Sequence, residues 1–258
     1  MTARSVHPSD RELRAYRAHL ANELRLLLRE PAALIFGAIL PLVAIIVMSA
    51  IPGAREPIAE MGGVSVVQTY LPVLVLFSGT MLGLTIIPGT LGAYRESGVL
   101  RRLRTTPTSP ASLVAALVSI IGLAALTVAL VLVAIPAVSG AGAPLRPTWF
   151  ALVTIVSTFV FVAMGAALAS IVPNAKAAPG IGNAIAAVMW AAAGLWFPRA
   201  HFPDWLRTIA DLTPGGATAQ AMMTTGEPGF AETWIPLLVL VAWGIVSVVV
   251  AAKTFRWE

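Results

Sequence analysis

The sequence predicts an all-α integral membrane protein of six transmembrane helices, and three observations carry that prediction. Hydrophobic residues make up 58% of the 258-residue chain and charged residues only 11%, against roughly 25% charged in soluble domains. Six runs hold no Asp, Glu, Lys or Arg: 31–54, 61–94, 105–145, 147–175, 177–198 and 233–252. Each meets or exceeds the roughly 20 residues that cross about 30 Å of hydrocarbon. The cations are also one-sided. The N-terminal segment, the 95–104 stretch, Lys176, Lys253 and Arg256 hold thirteen of the seventeen basic residues. By the positive-inside rule those segments, and both termini, are cytoplasmic.

The elements follow in order. Residues 9–30 read as an amphipathic helix lying in the membrane interface, with Ser9 and Glu12 as a capping box. Leu13, Tyr16, Leu20, Leu24 and Leu27 form its stripe, and Arg11, Arg14, Arg25 and Arg29 lie away from it. Pro31 ends this helix. The first span, 32–51, carries Pro41, whose missing amide frees a carbonyl that a neighbouring helix must satisfy. The second, 67–91, contains Pro72, Pro88 and a Gly79-xxx-Gly83 pair suited to close helix contact. Ser109 and Pro110 open the third, 110–137, as N-cap and first helical residue. The fourth and fifth, 148–171 and 178–196, are joined by a short inner turn containing Lys176. Residues 197–232 are too polar for a span and too apolar for an ordinary loop. They predict a re-entrant helical hairpin on the extracellular side, with Trp205, Ile209 and Leu212 on one face and a second short helix over Ala217–Met223. The last span is 233–251. Residues 1–258 are therefore one transmembrane domain.

Several classes of chemistry are missing. Both lysines follow alanine (Ala175-Lys176 and Ala252-Lys253), so the Gly-Lys-Ser/Thr core of a P-loop is absent and the chain does not hydrolyse ATP alone. No Asp, Glu, Lys, Arg or His falls in an expected span, which disfavours an ion-coupled secondary transporter. The three histidines are scattered and cysteine is absent, leaving no metal or catalytic constellation. The net charge of +5 reads as topology and affinity for anionic membrane lipids, not as a nucleic-acid footprint.

The densest charge lies in Tyr94-Arg95-Glu96-Ser97-Gly98-Val99-Leu100-Arg101-Arg102-Leu103-Arg104-Thr105-Thr106-Pro107, between the second and third spans. On a helix over 94–104, Glu96, Val99, Leu100 and Leu103 share one face. A solvated basic loop that only enforces topology accounts for the four arginines. It does not account for a carboxylate in an apolar stripe or for a stop at Pro107. The island reads as a docking lever for a cytosolic partner.

Arg95-Glu96-x-Gly98-x-Leu100-x-x-Leu103-x-x-Thr106-Pro107 resembles the coupling-helix signature of the ABC-2 family of transporter permeases, which includes bacterial drug-efflux permeases. Gly194-Leu195-Trp196-Phe197-Pro198 with Phe202-Pro203-x-Trp205-Leu206 and Leu212-Thr213-Pro214 is similar to that family's re-entrant segment. The resemblance covers essentially the whole chain. Tyr94 and Arg101 depart from the acidic residues many members carry.

The resemblance implies a permease subunit of an ATP-driven exporter in a bacterial inner membrane. It implies two cytosolic ABC ATPase chains, which bind ATP and Mg, and a second permease copy or a paralogue. The ATPase-coupling residues are then Arg95, Glu96, Gly98, Val99, Leu100, Arg102, Leu103 and Pro107. The pathway residues are Phe77, Thr80, Met81, Thr85, Asn183, Met189 and Trp190, and the outer gate is Phe197, Pro198, Phe202, Pro203, Trp205 and Pro214. An apolar pathway points to a hydrophobic or amphipathic cargo. The rival readings are an ion-coupled secondary transporter and a non-transporting membrane scaffold.

Overall fold

A computed structural model describes residues 8–59, 63–103, 110–144, 146–172, 174–223 and 230–254. Besides short helical turns at Pro52–Arg55 and Arg199–His201, ten helices organise them: α1 (Pro8–Leu27), α2 (Pro31–Ala50), α3 (Val66–Glu96), α4 (Val99–Leu103), α5 (Pro110–Val138), α6 (Pro147–Ile171), α7 (Ala178–Ala193), α8 (Asp204–Asp211), α9 (Pro214–Met223) and α10 (Phe230–Thr254). Among the described residues five helices are long and apolar enough to cross a bilayer: α2, α3, α5 (from Ala111), α6 and α10 (from Trp234).

The fifth expected span, 178–196, is shorter than expected. Gly194 takes φ 91°, a left-handed conformation that glycine adopts without strain, and its N–H and that of Leu195 close back on Ala191 and Trp190. Helix α7 therefore has 16 residues, about 24 Å at 1.5 Å per residue, against roughly 30 Å of hydrocarbon.

The hairpin α8–α9 completes that depth. Trp243 of α10 donates its indole N–H to the Leu212 carbonyl at 3.0 Å, and Gly215 packs on the backbone of Met189 in α7. Trp243 and Met189 each stand about 16 Å from the Thr254 and Ala178 ends of their helices, so the hairpin tip lies near mid-bundle. At the other end of α9, the Ala221 carbonyl accepts the Trp149 indole N–H at 2.9 Å. The second hairpin helix starts at Pro214 rather than Ala217, because Thr213 Oγ1 caps it by accepting the Gly216 N–H at 3.0 Å.

Two of the prolines within spans follow π-helical turns, Ile35–Ile39 before Pro41 and Met81–Ile86 before Pro88. A wider turn makes room for a ring that would otherwise strike the carbonyl four residues back. For Pro41 that carbonyl is Gly37, and it accepts the Ser78 hydroxyl of α3 at 2.5 Å. For Pro88 it is Leu84, against which α7 presents Gly182 where any Cβ would overlap. Gly79 and Gly83 face Phe161 of α6. The middle of α3 is thus held closely by α2, α6 and α7, and its buried Leu71, Val75, Leu76 and Leu84 anchor the core.

Helix α1 lies along α5. Leu20 and Leu27 join a cluster with Leu91, Leu117 and Ile121, and Tyr16 donates to Ser119 at 2.8 Å. Its buried face is Tyr16-Leu20-Glu23-Leu27, rotated from the expected stripe: Leu13 and Leu24 are exposed. Ser9 sits inside the helix rather than capping it. Ser109 and Pro107 lie outside the described residues.

Candidate functional site

Helix α3 continues past the expected end of its span to Glu96, and its last three residues reach three different elements. At 100° per residue, consecutive side chains point in divergent directions. Tyr94 donates its hydroxyl to Glu23 Oε1 of α1 at 2.7 Å. Arg95 Nη2 donates to the Ala169 carbonyl at 2.8 Å, placing its charge at the negative C-terminal end of α6. Glu96 Oε1 accepts the Ala175 N–H at 2.8 Å. Ala175 belongs to the turn in which Asn174 Oδ1 accepts the Lys176 N–H at 2.8 Å just before α7. The ends of α6 and α10 meet at the same end of the bundle, where Ser170 and Thr254 share a 2.6 Å hydrogen bond.

Glu23 is 2% exposed. Burial raises its carboxyl above the ordinary value, and the Tyr94 hydroxyl offsets part of that rise. Sequence reasoning missed Glu23 as part of the site. Its signal was a carboxylate spaced with Leu20 and Leu27 on the inward face of an amphipathic helix.

The single helix expected over 94–104 is two segments. Gly98 takes φ 71°, the Ser97 hydroxyl donates to the Ala93 carbonyl at 2.6 Å, and the Gly98 N–H bonds Arg95. Helix α3 ends there and α4 sets out anew. Glu96 therefore does not share a face with Val99, Leu100 and Leu103. Leu100 is buried, Val99 and Leu103 are half-buried, and Arg101 and Arg102 are exposed. Arg104 lies outside the described residues.

The expected pathway residues gather at the seam between α3 and α7. The Phe77 and Trp190 rings lie 4.6 Å apart, and Trp190 donates to Thr80 Oγ1 at 2.8 Å. Thr85 donates to Asn183 Oδ1 at 2.8 Å. Phe77, Met81, Thr85 and Trp190 are half-buried and Asn183 is exposed, so these five share an accessible strip. Thr80 and Met189 are packed inside.

The family profile of the ABC-2 type transporter matches residues 14–225, which takes in most of α1, the island and the hairpin. The chain belongs to the ABC-2 type transporter family. No curated protein matches it. As an ABC-2 permease it is a multi-pass membrane component of an ABC transporter, of a family that partners an ABC ATPase and dimerises.

The permease's expected gate residues surround the hairpin. Phe197 stacks on Phe202 at 6.4 Å; Phe202 and Pro214 are buried, Pro198 is half-buried, and Pro203 and Trp205 are exposed. Trp196, edge-on to Trp190 at 6.4 Å, extends the aromatic line of the seam toward them. Arg199, to which the sequence assigns no site role, is largely enclosed among these residues beside Asp211.

Proposed function

We propose that this permease is the membrane half of an exporter driven by a separate cytosolic ATPase, and that the island end faces the cytoplasm of a bacterial inner membrane. The observation that carries the reading is the divergence of Tyr94, Arg95 and Glu96 onto α1, α6 and the turn before α7. An element whose work is only topological has no need of such ties. One that receives a push from outside the membrane does.

On this reading α4, with Arg101 and Arg102 outward, seats against the ATPase. ATP and Mg bind in that partner, and closure of its two chains displaces α4. The rigid end of α3 carries the displacement to α1, α6 and α7 at once. Two permease copies, or one and a paralogue, face each other across the strip of Phe77, Met81, Thr85, Asn183 and Trp190. Aromatic rings, a methionine and one amide suit a hydrophobic or amphipathic cargo such as a drug, secondary metabolite or lipid.

The test is reconstitution of the permease with its ATPase in vesicles, measuring ATP hydrolysis and uptake across a panel of lipophilic compounds. Stimulated hydrolysis with ATP-dependent uptake into inside-out vesicles is the expected result. Transport that persists without the ATPase, driven by an ion gradient, would refute the reading.

A further inference from the structure

Arg199 stands where three backbone segments converge. Its Nη1 donates to the carbonyl of Ala192, in the last turn of α7, at 2.5 Å. Its Nη2 pairs with the carboxylate of Asp211, the last residue of α8. The Phe202 ring centroid lies 6.0 Å from the guanidinium carbon. A Cβ on Gly216, in the first turn of α9, would stand 3.1 Å from Nη1. The side chain is 11% exposed and that of Asp211 24%. By contrast, the Arg207–Asp204 pair on the same hairpin is open to its surroundings.

The location matters as much as the burial. Ala192 lies about 21 Å along α7 from Ala178, inside an apolar slab of roughly 30 Å. Charges at that depth are costly, and they mark functional positions. The seam of Phe77 and Trp190 runs up to this node through Trp196, and Gly215 closes over Met189 directly beside it. Anything leaving the seam at this end must displace the hairpin.

We propose that Arg199 is a positioning residue for release: its pairing with Asp211 latches the hairpin α8–α9 onto the end of α7 and closes the seam. Its purpose rests on the transport reading above, but the latch is tested independently of transport. The chain has no cysteine, so a single thiol reporter is the only labelled site on the permease band once it is separated from the ATPase. Thr218→Cys puts a thiol on α9 at a fully buried position, and Ala125→Cys puts one in the core beneath α1.

Unsealed membrane fragments carrying the whole transporter are treated with a polar maleimide. Without nucleotide, both reporters are expected to label slowly. Adding Arg199→Gln or Asp211→Asn is expected to speed labelling of T218C by about tenfold or more, because removing one partner strands the other charge. A125C is expected to stay slow. ATP with vanadate is expected to speed T218C in the parent and to add nothing in the latch variants. T218C labelling unchanged by both substitutions overturns the latch. So does an equal rise at A125C, since Arg199 would then merely hold the whole fold. Fast T218C in the latch variants, with a parent indifferent to nucleotide, upholds the latch and rejects the transport reading instead.

Discussion

The carboxylate of Glu96 accepts the backbone N–H of Ala175 at 2.8 Å, joining the last turn of α3 to the turn that opens α7. Gly92 makes the approach possible, for a Cβ there would stand 2.7 Å from Ala175 Cα. On the mechanism proposed above, a displacement of α4 would reach α7 by this route without passing through the apolar core. The bond also sets Glu96 apart from the surface that Arg101 and Arg102 present.

Glu96→Ala is therefore expected to leave ATPase binding intact while export falls at least about tenfold, the cost of about 1.4 kcal/mol of lost coupling. Glu96→Gln retains an acceptor oxygen and is expected to keep most of the transport. Co-purification of the ATPase and uptake into inside-out vesicles report the two quantities separately. Normal export by Glu96→Ala would remove the strut from the mechanism.

Gly98 divides α3 from α4 with φ 71°. An alanine there meets no neighbouring atom within 4 Å, so its penalty is conformational alone, about 1–2 kcal/mol for a left-handed L-residue. Proline, fixed near φ −65°, has no access to that conformation. Gly98→Ala is expected to slow export modestly and Gly98→Pro to abolish it, with both proteins inserted in the membrane. Equal export by the two variants would show that the break is not needed.

Five of the six spans and the amphipathic face of α8 were legible because charge-free length and helical periodicity are written directly in the residue order. The same periodicity misplaced the island face, since projecting 94–104 on one helix assumes no break, and the left-handed turn at Gly98 resets the register. It misplaced the face of α1 for a different reason. Glu23 lies inside, where Tyr94, 71 residues away, supplies a donor. Arg199 looked like a loop cation because its partner Asp211 and the Ala192 carbonyl converge on it only in the folded hairpin. Helical periodicity reads one unbroken helix at a time; Gly98 breaks the helix, and Glu23 and Arg199 find their partners on other elements.

Ser78 supports the proline-bearing first span. Its hydroxyl is the donor to the Gly37 carbonyl, four residues before Pro41, and it is fully buried. Ser78→Ala leaves that carbonyl without this donor, which is expected to lower stability by about 1 kcal/mol, the scale of interhelical hydrogen bonds in membranes. Thermal unfolding in lipid nanodiscs measures it. A melting temperature equal to the parent's would mean that the π turn satisfies the carbonyl by itself.

Glu23 gives the fold a pH dependence whose direction is fixed by burial. Its carboxyl is raised above the ordinary 4.5, so the folded state binds the proton more tightly than the unfolded chain. The contribution to stability is complete below about 4.5 and is lost as pH climbs through the raised value. Glu23→Gln keeps an oxygen for the Tyr94 hydroxyl and carries no charge. It is expected to match the parent near pH 4 and to exceed its melting temperature progressively toward pH 7, flattening the pH profile. Glu23→Leu removes the acceptor and strands the Tyr94 hydroxyl, so it is expected to fall below Glu23→Gln at every pH. Thermal unfolding of the three proteins in nanodiscs across that range separates the terms. A Glu23→Gln profile parallel to the parent's would show that the carboxyl titrates alike in the folded and unfolded chain, because water reaches it, and that α1 is not held by a titrating group.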